Sequence, residues 1–256
     1  VFDHDVSRYA DFVCEFNKIF GLTPGESGQI EKHIDKFLNQ KKMGDIDSVE
    51  FQSIKSLIRR GEAIDAAKFC GVNKDHIYFL DMPFYKTGKV QKLSIGDDDV
   101  QAVLNVLEEV KPDIIFAAGD MSDPHGTHRL CQEAGLAALK KYLDAGNECQ
   151  DFWLYRGAWQ EWGIDQIEMA VPLSPDELKR KRYAIFRHQS QKDRAMFPGP
   201  YDSREFWQRA EDRNQTTAAT YDSLGLPEYH ALEAFVRYPP KMPDHIKLLL
   251  TKNTEK

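Results

Sequence analysis

Asp113-Ile114-Ile115-Phe116-Ala117-Ala118, running on into Gly119-Asp120-Met121-Ser122-Asp123-Pro124-His125-Gly126-Thr127-His128-Arg129, decides the fold. The opening residues are almost all apolar and stand directly behind Pro112, so they read as a short strand buried on both faces. The polar stretch after them leads into helical spacing from about Gly126 to Leu143. A buried strand, a polar loop and a helix make a β-α unit.

Upstream of that unit the chain reads as mostly helical. Tyr9, Phe12, Val13, Phe16, Ile19 and Phe20 recur at three- and four-residue spacing, and Gly21 stops that helix. A second helix is expected from Pro24 to Leu38, with Thr23 as its N-cap. The charged stretch Gln40–Asp47 is a loop. A third helix carries Ile54, Leu57, Ile58, Ala63, Ala66 and Ala67 to Cys70, with Gly71 as its stop. His76–Leu80 reads as a short strand, and Asp97–Val110 as a helix.

Downstream, Phe152–Tyr155 and Ile167–Val171 read as two further strands. Ser174–Asp193 is expected to be a long helix opened by Ser-Pro-Asp-Glu, a good N-cap signal. The stretch from Pro198 to Tyr238 is polar, aromatic and punctuated. The order predicts an α/β chain: a three-layer, Rossmann-like, mostly parallel sheet with helices on both faces.

Composition limits the function. The 256 residues hold 34 Lys and Arg against 41 Asp and Glu, a net charge of −7. General nucleic-acid and anionic-membrane binding need clustered cations, so neither partner is expected. No apolar run approaches the ~18 residues of a membrane helix. Cys14, Cys70, Cys131 and Cys149 lie far apart without a CxxC pair, which argues against disulfides and a Cys-rich zinc site. Cys14 and Cys70, among apolar neighbours, are expected to be buried free thiols, and the cytoplasm is the expected compartment.

The chemistry-bearing stretch is 119–129. In open α/β sheets, ligands bind just past the carboxyl ends of strands. His125 and His128, with Asp120 and Asp123 close by, form a plausible partial metal site, in which carboxylates ligate or orient an imidazole. Asp123-Pro124 also fits an ordinary N-cap with Pro at the first helical position. A second feature is the aromatic run Trp153, Tyr155, Trp159 and Trp162 with Arg156 among them. Such rings stack on sugars or fill cores and interfaces, and Arg156 suits a phosphate or carboxylate.

At these residues the chain resembles the PIG-L/LmbE-like zinc deacetylases, which remove acetyl groups from N-acetylglucosaminyl substrates. The stretch from Lys111 to Arg129 is similar to that family's second motif, with His125-Gly126-Thr127-His128-Arg129 in place of a His-Pro-Asp-His-Arg type run. Arg59-x-x-Glu62, followed by Leu80-Asp81-x-Pro83, resembles its Arg-x-x-Glu helix and Leu-Asp-x-Pro strand end. His188-x-Ser190-Gln191 resembles a late His-x-Ser-Gln helix.

The resemblance implies that His128 binds zinc and that His125 polarises the acetyl carbonyl or stabilises the oxyanion. Arg59 then helps fix the substrate, or simply lies on a solvated helix face. Asp120, Asp123, Arg156 and Trp159 complete the candidate substrate contacts. Asp81 either faces the site or caps a turn before Pro83. His188 and Gln191 fit a packing or surface role better than a catalytic one.

Two departures accompany the matches. The family's first motif, His-Pro-Asp-Asp/Glu, which supplies two zinc ligands and the general base, is absent; Asp3-His4-Asp5 opens a helix and follows no strand. Gly126-Thr127 replaces the usual Pro-Asp between the histidines. Either an N-terminal β-α-β portion lies upstream of Val1, or the domain is a non-catalytic relative. The chain is accordingly expected to be one LmbE-like domain over 1–256 lacking that portion, with 147–256 as its C-terminal elaboration.

A narrower likeness is to the C-terminal, deacetylase-like half of bacterial glucosamine-6-phosphate deaminase-like proteins. It implies a zinc-dependent hydrolase acting on an amino sugar or amino sugar phosphate, joined to an upstream deaminase domain, with room for a homo-oligomer. The alternative is a non-catalytic sugar-binding or regulatory domain attached to that deaminase.

Overall fold

The computed structural model describes residues 2–23, 26–42, 47–85, 94–119, 126–157, 160–191 and 203–238. They divide into two compact units, one drawn from 2–77 and 183–191, the other from 78–85, 94–182 and 203–238.

The first unit is helical. Helix α1 (Phe2–Phe20) ends just before Gly21, which takes the positive φ of +60° that the stop requires. Phe12, Phe16 and Phe20 stack along one stripe, with ring centroids 6.0 and 4.9 Å apart. Helix α2 (Ser27–Gln40) starts later than the Thr23-Pro24 signal predicts. Thr23 instead donates its N–H to the Glu26 carboxylate at 2.7 Å, and Glu26 is the N-cap. Helix α3 (Val49–Phe69) is capped by Ser48, whose Oγ accepts from the Phe51 N–H at 3.3 Å, and α1 packs against it.

His76–Leu80 is not a strand. Lys74–His76 form a 3-10 turn, and Tyr78 and Phe79 stay substantially exposed. An apolar run becomes a strand only where a neighbouring strand takes its N–H and C=O groups. This segment is tied down differently, in the second unit: the Phe84 N–H donates to Asp99 Oδ1 at 3.0 Å, and both residues are almost fully buried. Asp99 Oδ2 accepts from the Gly96 N–H at 2.8 Å, closing the first turn of helix α4 (Asp97–Val110).

The second unit is built on a sheet of β1 (Ile114–Ala118), β2 (Asp151–Tyr155), β3 (Met169–Leu173) and β4 (Ala231–Arg237), in the order β1-β2-β4-β3. β1 and β2 are parallel, with Ile115 opposite Phe152 and Ala117 opposite Leu154. β4 runs antiparallel to both β2 and β3. The α/β class holds, on a sheet that is mixed among the described residues. Phe152–Tyr155 falls inside β2, and the expected Ile167–Val171 strand is found displaced, as β3.

Alternation along the strands sorts the two faces. Phe152 and Leu154 join Val100 and Leu107 of α4, and Ala138, Leu139 and Tyr142 of helix α5 (Thr127–Asp144), in the main apolar core. On the other face Glu233 of β4, out of phase with Val236 opposite Leu154, meets helix α6 (Pro175–Phe186) and helix α7 (Phe206–Ser223). Helices thus cover both faces. The α6 start is as expected: Ser174 N–H donates to Glu177, and the Glu177 N–H to Ser174 Oγ. The helix stops at Phe186, short of Asp193.

α7 and β4 have no counterpart among the expected elements. Their contact is polar and largely buried. Asn214, fully buried, donates to the Leu232 carbonyl at 2.7 Å and to Glu233 at 3.0 Å, and accepts from Lys181 at 2.8 Å. Arg213 bridges Glu233 and Glu161 at 2.5 and 2.9 Å. Burial would raise the Glu233 carboxyl, but Lys181 and Arg213 together hold it below the ordinary value. Burial raises Glu161 in spite of Arg213, and lowers Lys181 in spite of Glu233.

The cysteine expectation needs a correction. None of the four is in a disulfide, yet Cys14 and Cys70 are exposed and Cys149 is the buried one. Cys14 lies two positions beyond Phe12, off the aromatic stripe, and Cys70 is the C-cap at the end of α3. Among the described residues no helix is long and apolar enough to cross a membrane.

Candidate functional site

The site grows from the carboxyl end of β1. Gly119 continues β1 by donating its N–H to the Tyr155 carbonyl at 2.7 Å. A Cβ there would lie 2.7 Å from Cζ2 of Trp162 and 2.9 Å from Cβ of Leu154, so only glycine lets the indole pack on the strand end. Asp120, Asp123 and His125, three of the expected site residues, lie outside the described residues, as does Trp159.

The chain is described again at Gly126, the N-cap of α5, which takes a φ of +67°. The helix therefore opens at Thr127, beyond the Asp123-Pro124 start that the capping reading requires. His128 occupies the first turn of α5 with its side chain exposed. Next to it Arg129 pairs with Glu133 at 2.7 Å, one turn on. An exposed imidazole at the end of a strand-loop-helix unit is placed where a ligand can reach it.

Arg156 lies just past β2. Its guanidinium stacks 4.0 Å from the centroid of the Trp162 ring, and Nη1 donates to Gln160 at 3.2 Å. The expected aromatic feature thus contains a real pair, with Trp162 held between Arg156 and Gly119.

In the helical unit the sequence motifs also meet. Arg59 and Glu62 stand three apart on α3, Arg59 exposed and Glu62 2 % exposed. The Ser190 N–H and hydroxyl donate to the two Glu62 carboxylate oxygens at 2.6 and 2.8 Å. Arg187 approaches Asp65 at 3.5 Å and stacks over Phe69. Two motifs far apart in the chain are therefore joined by a buried carboxylate that satisfies both donors. His188 is half-buried, and its neighbour Gln191 turns back to it through a backbone bond. Asp81 is exposed, with a φ of +47°, directly before a turn closed by Tyr85 N–H and the Met82 carbonyl.

Sequence reasoning did not single out Asp99, Arg213 or the threonines of α7. For Asp99 a signal existed, since an acidic third helical residue commonly closes the first turn. For α7 none did, because its buried side chains are polar.

A catalytic zinc normally takes three protein ligands. Among the described residues no group of three or more His, Cys, Asp or Glu side chains could hold a metal ion. The donor set that is described, His128, does not by itself fit a zinc centre.

Residues 17–139 match the PIG-L family, described as GlcNAc-PI de-N-acetylase. The resemblance read from the motifs is borne out over α3, β1 and most of α5. The chain is also 50% identical over 244 residues to a putative glucosamine-6-phosphate deaminase-like protein of Bacteroides thetaiotaomicron. That alignment covers 93% of this chain and 36% of the relative, so the chain spans about a third of that relative's length. Among solved structures it is similar to a deacetylase–bog complex in the biosynthesis pathway of teicoplanin, at 16% identity and a TM-score of 0.46, over 73% of this chain and 75% of that one.

Proposed function

We propose that this chain is the deacetylase part of an amino-sugar-processing protein, hydrolysing the N-acetyl amide of an amino sugar or its phosphate. The observation that supports this most is the family match over 17–139, with its histidine motif at the carboxyl end of β1. Zinc belongs to the proposal, with His128 as the residue that would hold it. His125 is the proposed donor to the carbonyl oxygen, and Arg59, Asp120, Asp123, Arg156 and Trp159 the proposed substrate contacts. A deaminase region elsewhere in a longer protein, a cytoplasmic location and a homo-oligomer extend the same reading.

Removing a donor to a developing oxyanion lowers turnover by about 10²–10³. Acetate release from N-acetylglucosamine and its 6-phosphate is therefore expected from the longest native form of the protein and lost in its His125→Ala variant. Metal analysis should find zinc in the parent and less in His128→Ala. A fully folded, metal-free parent that releases no acetate would sink the hydrolase reading.

The second reading is a non-catalytic sugar-binding or regulatory domain attached to that deaminase. It predicts saturable sugar binding without acetate or zinc.

A further inference from the structure

The second unit contains a cavity of about 510 Å³ that no feature above has used. Its wall is one stripe of α7, Arg209, Arg213, Thr216, Thr217 and Thr220, faced by the 160–167 segment with Trp162. Helical spacing puts those α7 residues on a single side.

Three properties of the wall identify what it would take. First, two buried donors in it lack an acceptor among the described residues: Trp162 Nε1–H and Arg213 Nε–H, on a side chain 8% exposed. Buried N–H groups without partners are rare, and a ligand oxygen is one way of satisfying them. Second, most of the wall's charge is already engaged. Arg213 pairs with Glu161 and Glu233, Arg204 pairs with Asp212, and Arg209 Nε donates to the Arg204 carbonyl. Cations held in this way suit an uncharged oxygen-rich group better than a bare anion. Third, apolar Ile164 and Ile167 line the cavity together with the threonines. A pyranose presents that mixture, C–H surface edged with hydroxyls that both donate and accept.

The wall is also preorganised. Trp162 is stacked by Arg156, and its backbone N–H is bound by Glu161 at 3.0 Å. It is the same indole that fills the space at Gly119, the last described residue before 120–125.

We propose that this cavity is a carbohydrate subsite, which takes the hydroxylated ring of an amino sugar with its oxygens on Trp162 Nε1, Arg213 Nε and the Thr216 and Thr220 hydroxyls. The choice of an amino sugar rests on the proposed function; the oxygen-accepting character of the ligand rests on the cavity.

Calorimetric titration of the full chain with N-acetylglucosamine, its 6-phosphate and inorganic phosphate tests this. Both sugars are expected to bind with similar affinity, and phosphate should displace neither. The double substitution Thr216→Val and Thr220→Val keeps side-chain shape and removes two hydroxyls. It should weaken both sugars about tenfold, the loss of two ordinary hydrogen bonds, at an unchanged melting temperature. Trp162→Phe should weaken them as well. Unchanged affinity in the double variant, no sugar binding by the parent, or displacement by phosphate would each overturn the subsite. Because binding is read without turnover, threonine-dependent sugar binding in a longest native form that releases no acetate would uphold the subsite and reject the hydrolase. Acetate release with unaltered binding in the double variant would do the reverse.

Discussion

Helices α5 and α7 are equally long and serve the same sheet from opposite faces, yet they are buried by opposite means. α5 turns Leu130, Ala134, Ala138, Leu139 and Tyr142 inward, a stripe at three- and four-residue spacing. α7 buries Arg209, Glu211, Asn214 and Thr217 beside two alanines. Its partners are charged too: Lys181 and Glu233 beneath Asn214, and Arg182, which pairs with Glu211 at 2.5 Å while stacking over Trp207. Apolar burial tolerates imprecise partners, whereas a buried polar group is favourable only when each neighbour is in place. The α5 face holds the strand that leads to the site. The α7 face fixes geometry around a cavity.

The sharpest way to break this comparison is to empty each face in turn. Tyr142→Ala on α5 should destabilise the protein by about 3–5 kcal/mol, read by denaturant unfolding, because a large buried ring leaves a cavity. Glu233→Gln leaves Lys181 and Arg213 facing a neutral amide, and should cost about 3 kcal/mol in the same assay, the low end of the range for a buried pair. If Glu233→Gln were as mild as a surface change, the polar network would not be holding α7.

Acid titration separates the faces further. The Glu233 carboxyl lies below its ordinary value of 4.5, so its stabilisation is present above pH 4.5 and lost as pH falls through the folded-state value. Glu161, raised by burial, acts in the opposite sense and relieves a cost on acidification. The parent's melting temperature should therefore fall below pH 4.5 with a slope that Glu233→Gln flattens and Tyr142→Ala leaves alone. The smallest effect belongs to Ser174→Ala at the start of α6. Loss of its cap should cost about 1 kcal/mol, read in the same unfolding assay.

The same contrast explains how much could be read from the chain. α4, β1, β2 and α5 follow from apolar spacing, with Pro and Gly as punctuation, and the Ser174-Glu177 cap was legible as a motif. α7 and β4 were not, because Phe206–Ser223 carries no apolar period and its inward residues look like a solvated surface. His76–Leu80 failed for the complementary reason: its composition suits a strand, but pairing depends on a neighbour that composition does not reveal. For the site, Glu62 and Ser190 were recognisable only as members of separate motifs. That they touch is tertiary information. Asp120, Asp123, His125 and Trp159 fall outside the described residues, while His128 lies in the first turn of α5 and Arg156 just past β2.

One feature of the sheet bears on how the protein behaves at the bench. β1 ends the strand order, and Ile114 and Phe116 on it are 48% and 53% exposed. Among the described residues no strand pairs with its outer side. Edges of that kind recruit other strands. Concentrated solutions of this chain should therefore self-associate through β1, with light scattering that rises with concentration and drops when Phe116 is replaced by lysine.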